Sequence, residues 1–91
     1  MTGSDQPAGL ISVLLDPAAE FGDRHDAAMD LAEYDDQAAE QALLRVALDV
    51  STDNELADEA GHSLWQIWQR VAKHDAGVVA RMHPEARKFF R

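Results

Sequence analysis

The stretch QAAEQALLRVALDV, residues 37–50, decides the fold class of this chain. Its apolar residues recur at the i, i+3, i+4, i+7 spacing of one helix face: Ala39, Ala42, Leu43, Val46, Ala47 and Val50. Leu44 and Leu48 fall on the opposite side of the same helix. A helix that is apolar on two sides is usually covered on both. The pattern therefore predicts a helix over residues 37–49 that lies between two neighbours, with the N-terminal helix as the second cover.

Helical signals continue towards the N-terminus. Alanine, the residue with the highest helix propensity, occurs sixteen times, and no segment alternates in the manner of a β-strand. We expect helices over residues 7–15, 17–21 and 24–34, the second of them ended by Gly22. These patterns predict an all-α chain.

The C-terminal half begins with a strong helix start. Thr52 and Glu55 have the spacing of a capping box, which predicts a helix from there to about residue 74. Its expected buried stripe runs through Gly61 and Trp68 to Val71, and Gly61 is expected to allow a second helix to approach closely. A weaker helical pattern follows, so we expect five to six helices in all.

A short pattern occurs twice, 33 residues apart. An acid, two small residues and a leucine three positions later form Asp26-Ala27-Ala28-x-x-Leu31 and again Glu59-Ala60-Gly61-x-x-Leu64. A repeat of this length in an all-helical chain is typical of solenoids made of stacked helix pairs.

The residues around this repeat resemble the short-period HEAT-like repeat family. Arg24-x-x-Ala27-Ala28-x-x-Leu31-Ala32 is similar to the first helix of a unit, and Ala39-x-x-Ala42-Leu43-x-x-Val46, after the turn Asp35-Asp36, is similar to the second. In the next unit Ala57 replaces the arginine. The resemblance covers residues 23–72. It implies a short right-handed α–α solenoid of about two helix pairs, with the flanking helices as caps.

Length and composition indicate one small domain. A chain of 91 residues with 46% hydrophobic residues is too apolar to be an acidic disordered tail. We expect a disordered N-terminus over residues 1–6 and a single helical domain over 7–91. No apolar run is long enough for a membrane span, and the first nine residues lack the basic residues of a signal peptide. With no cysteine, these features predict a cytoplasmic protein without disulfides.

The net charge of −9 is distributed unevenly. Residues 1–69 carry fifteen acids and two bases, whereas residues 70–91 carry six bases and two acids. An acidic surface repels phosphate, so direct nucleic-acid binding is not expected. The charge is either a solubilising surface with a counter-charged tail or a docking face for a basic protein. The sequence leaves the oligomeric state open, and a monomer is the default expectation.

The candidate docking surface lies on the third predicted helix and just after it. Asp26, Asp30 and Glu33 recur on the face opposite the small residues, and Asp36 and Glu40 follow close by. Tyr34 lies among these charges as an aromatic that could anchor a partner. The alternative interpretation of the row is an ordinary solvated helix face.

A small acidic chain of this kind resembles the HEAT-like immunity proteins of bacterial toxin systems. The resemblance implies a non-catalytic inhibitor whose carboxylates mimic phosphates and occlude the active site of a toxin such as a nuclease. An adaptor or assembly subunit without inhibitory role is the alternative.

Enzyme functions have weaker support. Glu59-x-x-His62 has the spacing found in di-iron helical bundles, and Arg24-His25-Asp26 is similar to the His-acid pairs of HEAT-like di-iron hydroxylases. Each occurs once, although such sites need several copies. The serines also lack a nucleophile elbow. We expect no catalytic residue, no metal and no cofactor, and a metal-dependent enzyme is the remote alternative.

Overall fold

Helices make up all the regular structure of the computed structural model, which describes residues 6–90. Its six α-helices and one 3₁₀ turn are α1 Ala8–Leu15, α2 Phe21–Asp30, the 3₁₀ turn Leu31–Glu33, α3 Gln37–Leu48, α4 Asn54–Val71, α5 Ala76–Ala80 and α6 Pro84–Arg87. No β-strand occurs among the described residues, which confirms the all-α prediction. The predicted disordered N-terminus lies, apart from Gln6, outside them.

The long helix α4 forms the centre of the fold. It buries Leu56, Leu64, Ile67 and Trp68 and packs against α2, the 3₁₀ turn, α3 and α6. Its N-cap is Asp53, whose carboxylate accepts hydrogen bonds from the backbone N–H groups of residues 55 and 56. The predicted capping box was therefore placed one residue too early: the Thr52 hydroxyl donates instead to the Val46 carbonyl at the end of α3, 2.9 Å away.

The prediction that α3 lies between two neighbours is confirmed. It packs against α4 on one side and α1 on the other, and its buried residues are Ala39, Ala42, Leu43, Val46 and Ala47. Asp36 caps its N-terminus, accepting from the backbone N–H of Ala38 at 2.7 Å. Arg24 links α2 to α1, since its Nε donates to the Leu14 carbonyl near the end of α1, 2.9 Å away.

The predicted helix over residues 17–21 is wrong. Asp16 folds back on the chain as a turn, accepting from the backbone N–H of Ala18, and the next helix begins only at Phe21. Gly22 lies inside α2 and has a negative φ, so it ends no helix. The predicted helix over 24–34 begins earlier, at Phe21, and tightens into the 3₁₀ turn after Asp30.

Two predicted core residues are exposed because their helices end earlier than expected. Val50 follows the end of α3 and is 71% exposed, and Val71, the last residue of α4, is 49% exposed. The predicted end of the long helix near residue 74 was too late. Ala72 turns into the left-handed conformation at φ 56°, and the N–H of Lys73 bonds to the Trp68 carbonyl to close the helix.

The C-terminal segment packs on α4 at Gly61. A Cβ on this glycine would lie 2.7 Å from the Cβ of Ala86 and 2.8 Å from its carbonyl oxygen, so only glycine admits α6 at this distance. His83, which the sequence placed at the surface or half-buried, is buried. The Nδ1 atom of His83 accepts a hydrogen bond from the backbone N–H of Glu85 and so caps α6. The backbone N–H of His83 donates to the Ala47 carbonyl. The expected close helix approach at Gly61 is therefore confirmed.

Candidate protein-binding surface

The predicted acidic row is exposed on the outer face of α2 and the 3₁₀ turn. Asp26, Asp30 and Glu33 all point to solvent, whereas Ala27, Ala28 and Leu31, on the opposite side of the same turns, are buried in the core. The division follows the helical period, since residues three and four apart share a face. Structure and sequence agree on the placement of these three carboxylates.

The other predicted site residues have structural roles. Asp36 is exposed but caps α3, and Tyr34 is half-buried and packs against the core. Glu40 is also half-buried, with 13% of its side chain exposed. Its Oε2 accepts from Trp68 Nε1 at 2.8 Å and from Lys73 Nζ at 2.6 Å. The structure thus joins Glu40 to α4 and not to the exposed row.

The bases of the C-terminal quarter divide the acids of the body into two groups. Arg70 pairs with Asp35 at 2.6 Å, Lys73 pairs with Glu40, and Lys88 reaches Asp58 at 2.5 Å. The basic tail therefore does pack on the acidic body. Within residues 6–90, no basic side chain lies within ion-pair distance of the second group. This group includes the exposed acids of α2 and the 3₁₀ turn, which are Asp23, Asp26, Asp30 and Glu33, and also Asp16, Glu20, Asp36, Asp49, Asp53 and Glu55.

Within this second group, folding stability does not account for the positions of Asp26, Asp30 and Glu33. Asp30 is the last residue of α2 and Glu33 the last of the 3₁₀ turn, where the partial negative charge of the helix end disfavours a carboxylate by about 0.3–1 kcal/mol. Asp26 and Asp30 are also one turn apart, and such a like-charged pair costs a few tenths of a kcal/mol. The row Asp26, Asp30 and Glu33 therefore weakens the helical segment that carries it.

One carboxylate and one lysine, both away from the row, have shifted pKa values. Hydrogen bonds from the hydroxyl and backbone N–H of Ser51 lower the pKa of Asp49, and the nearby His83 acts in the same direction. Hydrogen bonds to Asp58 and Glu85 raise the pKa of Lys88. Both groups are exposed, and in both the hydrogen bonds stabilise the charged form. The Asp49 carboxylate holds the turn before α4, and the Lys88 ammonium group holds the tail on α4.

The residues suspected of metal binding meet in part. His25 Nε2 lies 3.7 Å from Glu59 Oε1, and His62 Nδ1 lies 4.0 Å from Glu59 Oε2, with both imidazoles partly exposed. A groove of about 430 Å³ runs beside them and is lined by His25, Asn54, Glu55, Asp58 and Glu85. Among the described residues, no three His, Asp or Glu side chains are placed so that they could hold a metal ion.

Two exposed apolar residues of α2 were missed from the sequence. Phe21 is 43% exposed and Met29 is 47% exposed, and both lie on α2. Helical spacing carried the signal for Met29, because Asp26 and Glu33 lie three residues before and four residues after it, and such residues are neighbours on a helix surface. Trp65, for which the sequence left core and surface open, is half-buried and stacks on His62.

Comparison of the chain with protein-family models, with curated proteins and with solved structures found no match. The geometry of the surface is therefore the basis for a functional proposal. No helix within residues 6–90 is both long enough and apolar enough to cross a membrane.

Proposed function

We propose that this chain is a non-catalytic protein-binding module, a small acidic inhibitor of the immunity type that covers the active site of a basic toxin such as a nuclease. The observation that carries the proposal is the row Asp26, Asp30 and Glu33. These carboxylates are exposed, have no basic partner in the described part of the chain, and occupy positions that weaken their own helix.

A HEAT-like arrangement is part of the proposal. Equivalent positions of the two repeat copies have equivalent burial. Ala27 and Ala28 on α2 and Leu31 at the start of the 3₁₀ turn correspond to Ala60, Gly61 and Leu64 on α4, and all six are buried. Stacked helix pairs of this kind leave outer helix faces free for a partner. On this proposal α1 and the C-terminal segment are the caps.

The mechanism is occlusion. An uncompensated acidic face accelerates encounter with a basic cleft and places carboxylates where the cleft would hold phosphates. The exposed row provides these carboxylates, whereas Glu40 and Asp35 are already paired inside the chain and support the fold. The protein itself performs no chemistry in this mechanism.

The test begins with a partner purified from the native host on immobilised wild-type protein. Its affinity is then measured for wild type and for the Asp30→Lys/Glu33→Lys variant over a range of salt concentrations. We expect at least a tenfold loss of affinity and a flatter salt dependence in this variant, because each lost charge pair contributes to steering and binding.

A matched control is Glu20→Lys/Glu55→Lys, which changes the same charge at two exposed carboxylates away from the row. Far-UV circular dichroism checks that both variants are folded. Equal affinity for wild type and the row variant would overturn the acidic-face mechanism. A partner that keeps full activity when bound would favour an adaptor or assembly subunit over an inhibitor.

A further inference from the structure

The C-terminal segment, here residues 82–90, lies as a strap across α4. Met82 and Ala86 are buried, with Ala86 packed on Gly61, and the ring of Phe90 meets Trp68 edge-on with centroids 5.2 Å apart. A helix of four residues, such as α6, is not stable by itself. The position of the strap therefore depends on the cap of α6 and on these contacts.

His83 holds the start of the strap at two points. Its backbone N–H donates to the Ala47 carbonyl at 2.8 Å, and its Nδ1 accepts from the backbone N–H of Glu85 at 3.0 Å. The residue is 5% exposed. A ring nitrogen that accepts a hydrogen bond carries no proton, so the imidazole is neutral in this arrangement and has its proton on Nε2.

Protonation of His83 is incompatible with this cap. The second proton of an imidazolium is carried by Nδ1, which would then face the N–H of Glu85 as donor against donor. The first turn of α6 would lose its side-chain acceptor, and a positive charge would be enclosed at a buried position. The imidazolium regains hydration for its donors when the strap leaves α4. Acid therefore favours the released form of the strap.

The charged groups around His83 do not replace the lost acceptor. The carboxylates attract a positive charge, but several already have partners: Asp58 and Glu85 pair with Lys88, and Asp49 accepts from Ser51. Within residues 6–90, the side-chain acceptor of the Glu85 N–H is the His83 ring. The charged and titratable residues of the surrounding elements are Arg45 and Asp49 at and after the end of α3, Asp53, Glu55 and Asp58 at the start of α4, Arg81 after α5, Glu85, Arg87 and Lys88 on and after α6, and His25 across the groove that Glu85 lines.

We infer that His83 is a pH-sensitive latch, which holds the C-terminal strap on α4 in its neutral form and releases it when protonated. Release uncovers the face of α4 that carries Gly61 and Trp68, so the surface that the chain offers to a partner changes with pH. The inference does not depend on the acidic row or on the proposed function.

The size of the effect has an upper limit. Histidine in an unstructured chain titrates near pH 6.5. Because the released form takes up the proton and the bound form resists it, the stability of the bound form is fully present above this range and declines as the pH falls. The ratio of released to bound strap rises at most about tenfold for each pH unit below 6.5, or about 30-fold at pH 5.

Backbone amide exchange in the full chain measures this ratio. Protection factors, corrected for the intrinsic pH dependence of exchange, are recorded by NMR at about pH 7.5 and pH 5. The reporters are the N–H groups of His83 and Arg87, which bond to the carbonyls of Ala47 and His83. We expect their protection to fall by up to about 30-fold, while the amides of α3 change less than twofold.

The test variant is His83→Asn, because asparagine is a good N-cap acceptor and does not titrate in this range. It should keep the same protection at both pH values. The matched control is His62→Gln, since His62 is the other histidine in contact with the strap and stacks on Phe89 with centroids 5.1 Å apart. This control should lose protection on acidification as wild type does.

A second measurement in wild type covers the case in which His83→Asn does not hold the strap at any pH. The ring ¹⁵N shifts of His83 should show an unprotonated Nδ1 at neutral pH and its protonation over the range in which the strap loses protection. Protonation of this ring with the strap still protected would overturn the inference. So would an acid-induced loss that persists in a folded His83→Asn variant or disappears in His62→Gln.

Discussion

Gly61→Ala should destabilise the fold, although alanine is the better helix former. In an exposed helix the substitution would gain about 1 kcal/mol. Here the new Cβ would lie 2.7 Å from the Cβ of Ala86 and 2.8 Å from its carbonyl oxygen, whereas carbon atoms prefer about 3.5–4.0 Å. The C-terminal segment must therefore move, and overpacking of this kind costs about 1–3 kcal/mol. We expect a net loss of up to about 2 kcal/mol, and each kcal/mol lost should lower the Tm by about 4–8 °C.

The matched control for this substitution is Gly22→Ala. Gly22 lies in α2, and a Cβ there would meet nothing within 4 Å, so this variant should be stabilised by about 0.5 kcal/mol. Urea unfolding followed by far-UV circular dichroism measures both, and tryptophan fluorescence reports the contact of Trp68 with Phe90, whose ring centroids are 5.2 Å apart. Stabilisation of Gly61→Ala to the same degree as Gly22→Ala would refute the reasoning about close packing.

Three further substitutions test other parts of the structure. Ala72→Gly should stabilise the chain by about 1 kcal/mol in urea unfolding, because Ala72 has a φ of 56° and glycine adopts that conformation without strain. Glu40→Leu should lower the free energy of unfolding by about 1–3 kcal/mol by leaving the indole N–H of Trp68 without its acceptor, while Glu40→Gln should lose less; equal losses would show that the hydrogen bond is unimportant. Because the folded-state pKa of Asp49 is lowered, its stabilising effect is present above the ordinary aspartate pKa of about 3.9 and disappears as the pH falls through the folded value. Asp49→Asn should therefore reduce the loss of stability that wild type shows on acidification through that range, and so should Ser51→Ala, which removes one of the two hydrogen bonds.

The elements with the strongest local signals were predicted correctly from the sequence. The apolar period of residues 37–48 defines α3, because it depends only on side chains within a few turns of one another. The exposed positions of Asp26, Asp30 and Glu33 follow from the same period. The wrong helix at 17–21 and the late end of α4 have one cause. Local propensity does not show where Asp16 folds into a turn or where Ala72 adopts a left-handed conformation.

By itself, then, the sequence determined the helical class, the main helices and the acidic outer face of α2, all of which depend on short-range spacing. Only the tertiary structure decided which carboxylates are free. Glu40 and Asp35 looked equivalent to their neighbours along the chain, yet they meet Lys73 and Arg70, more than thirty residues away. Such pairs depend on how α3 packs against α4. The same packing paired three acids of the body with the basic tail and left Asp26, Asp30 and Glu33 without a basic partner in the described chain.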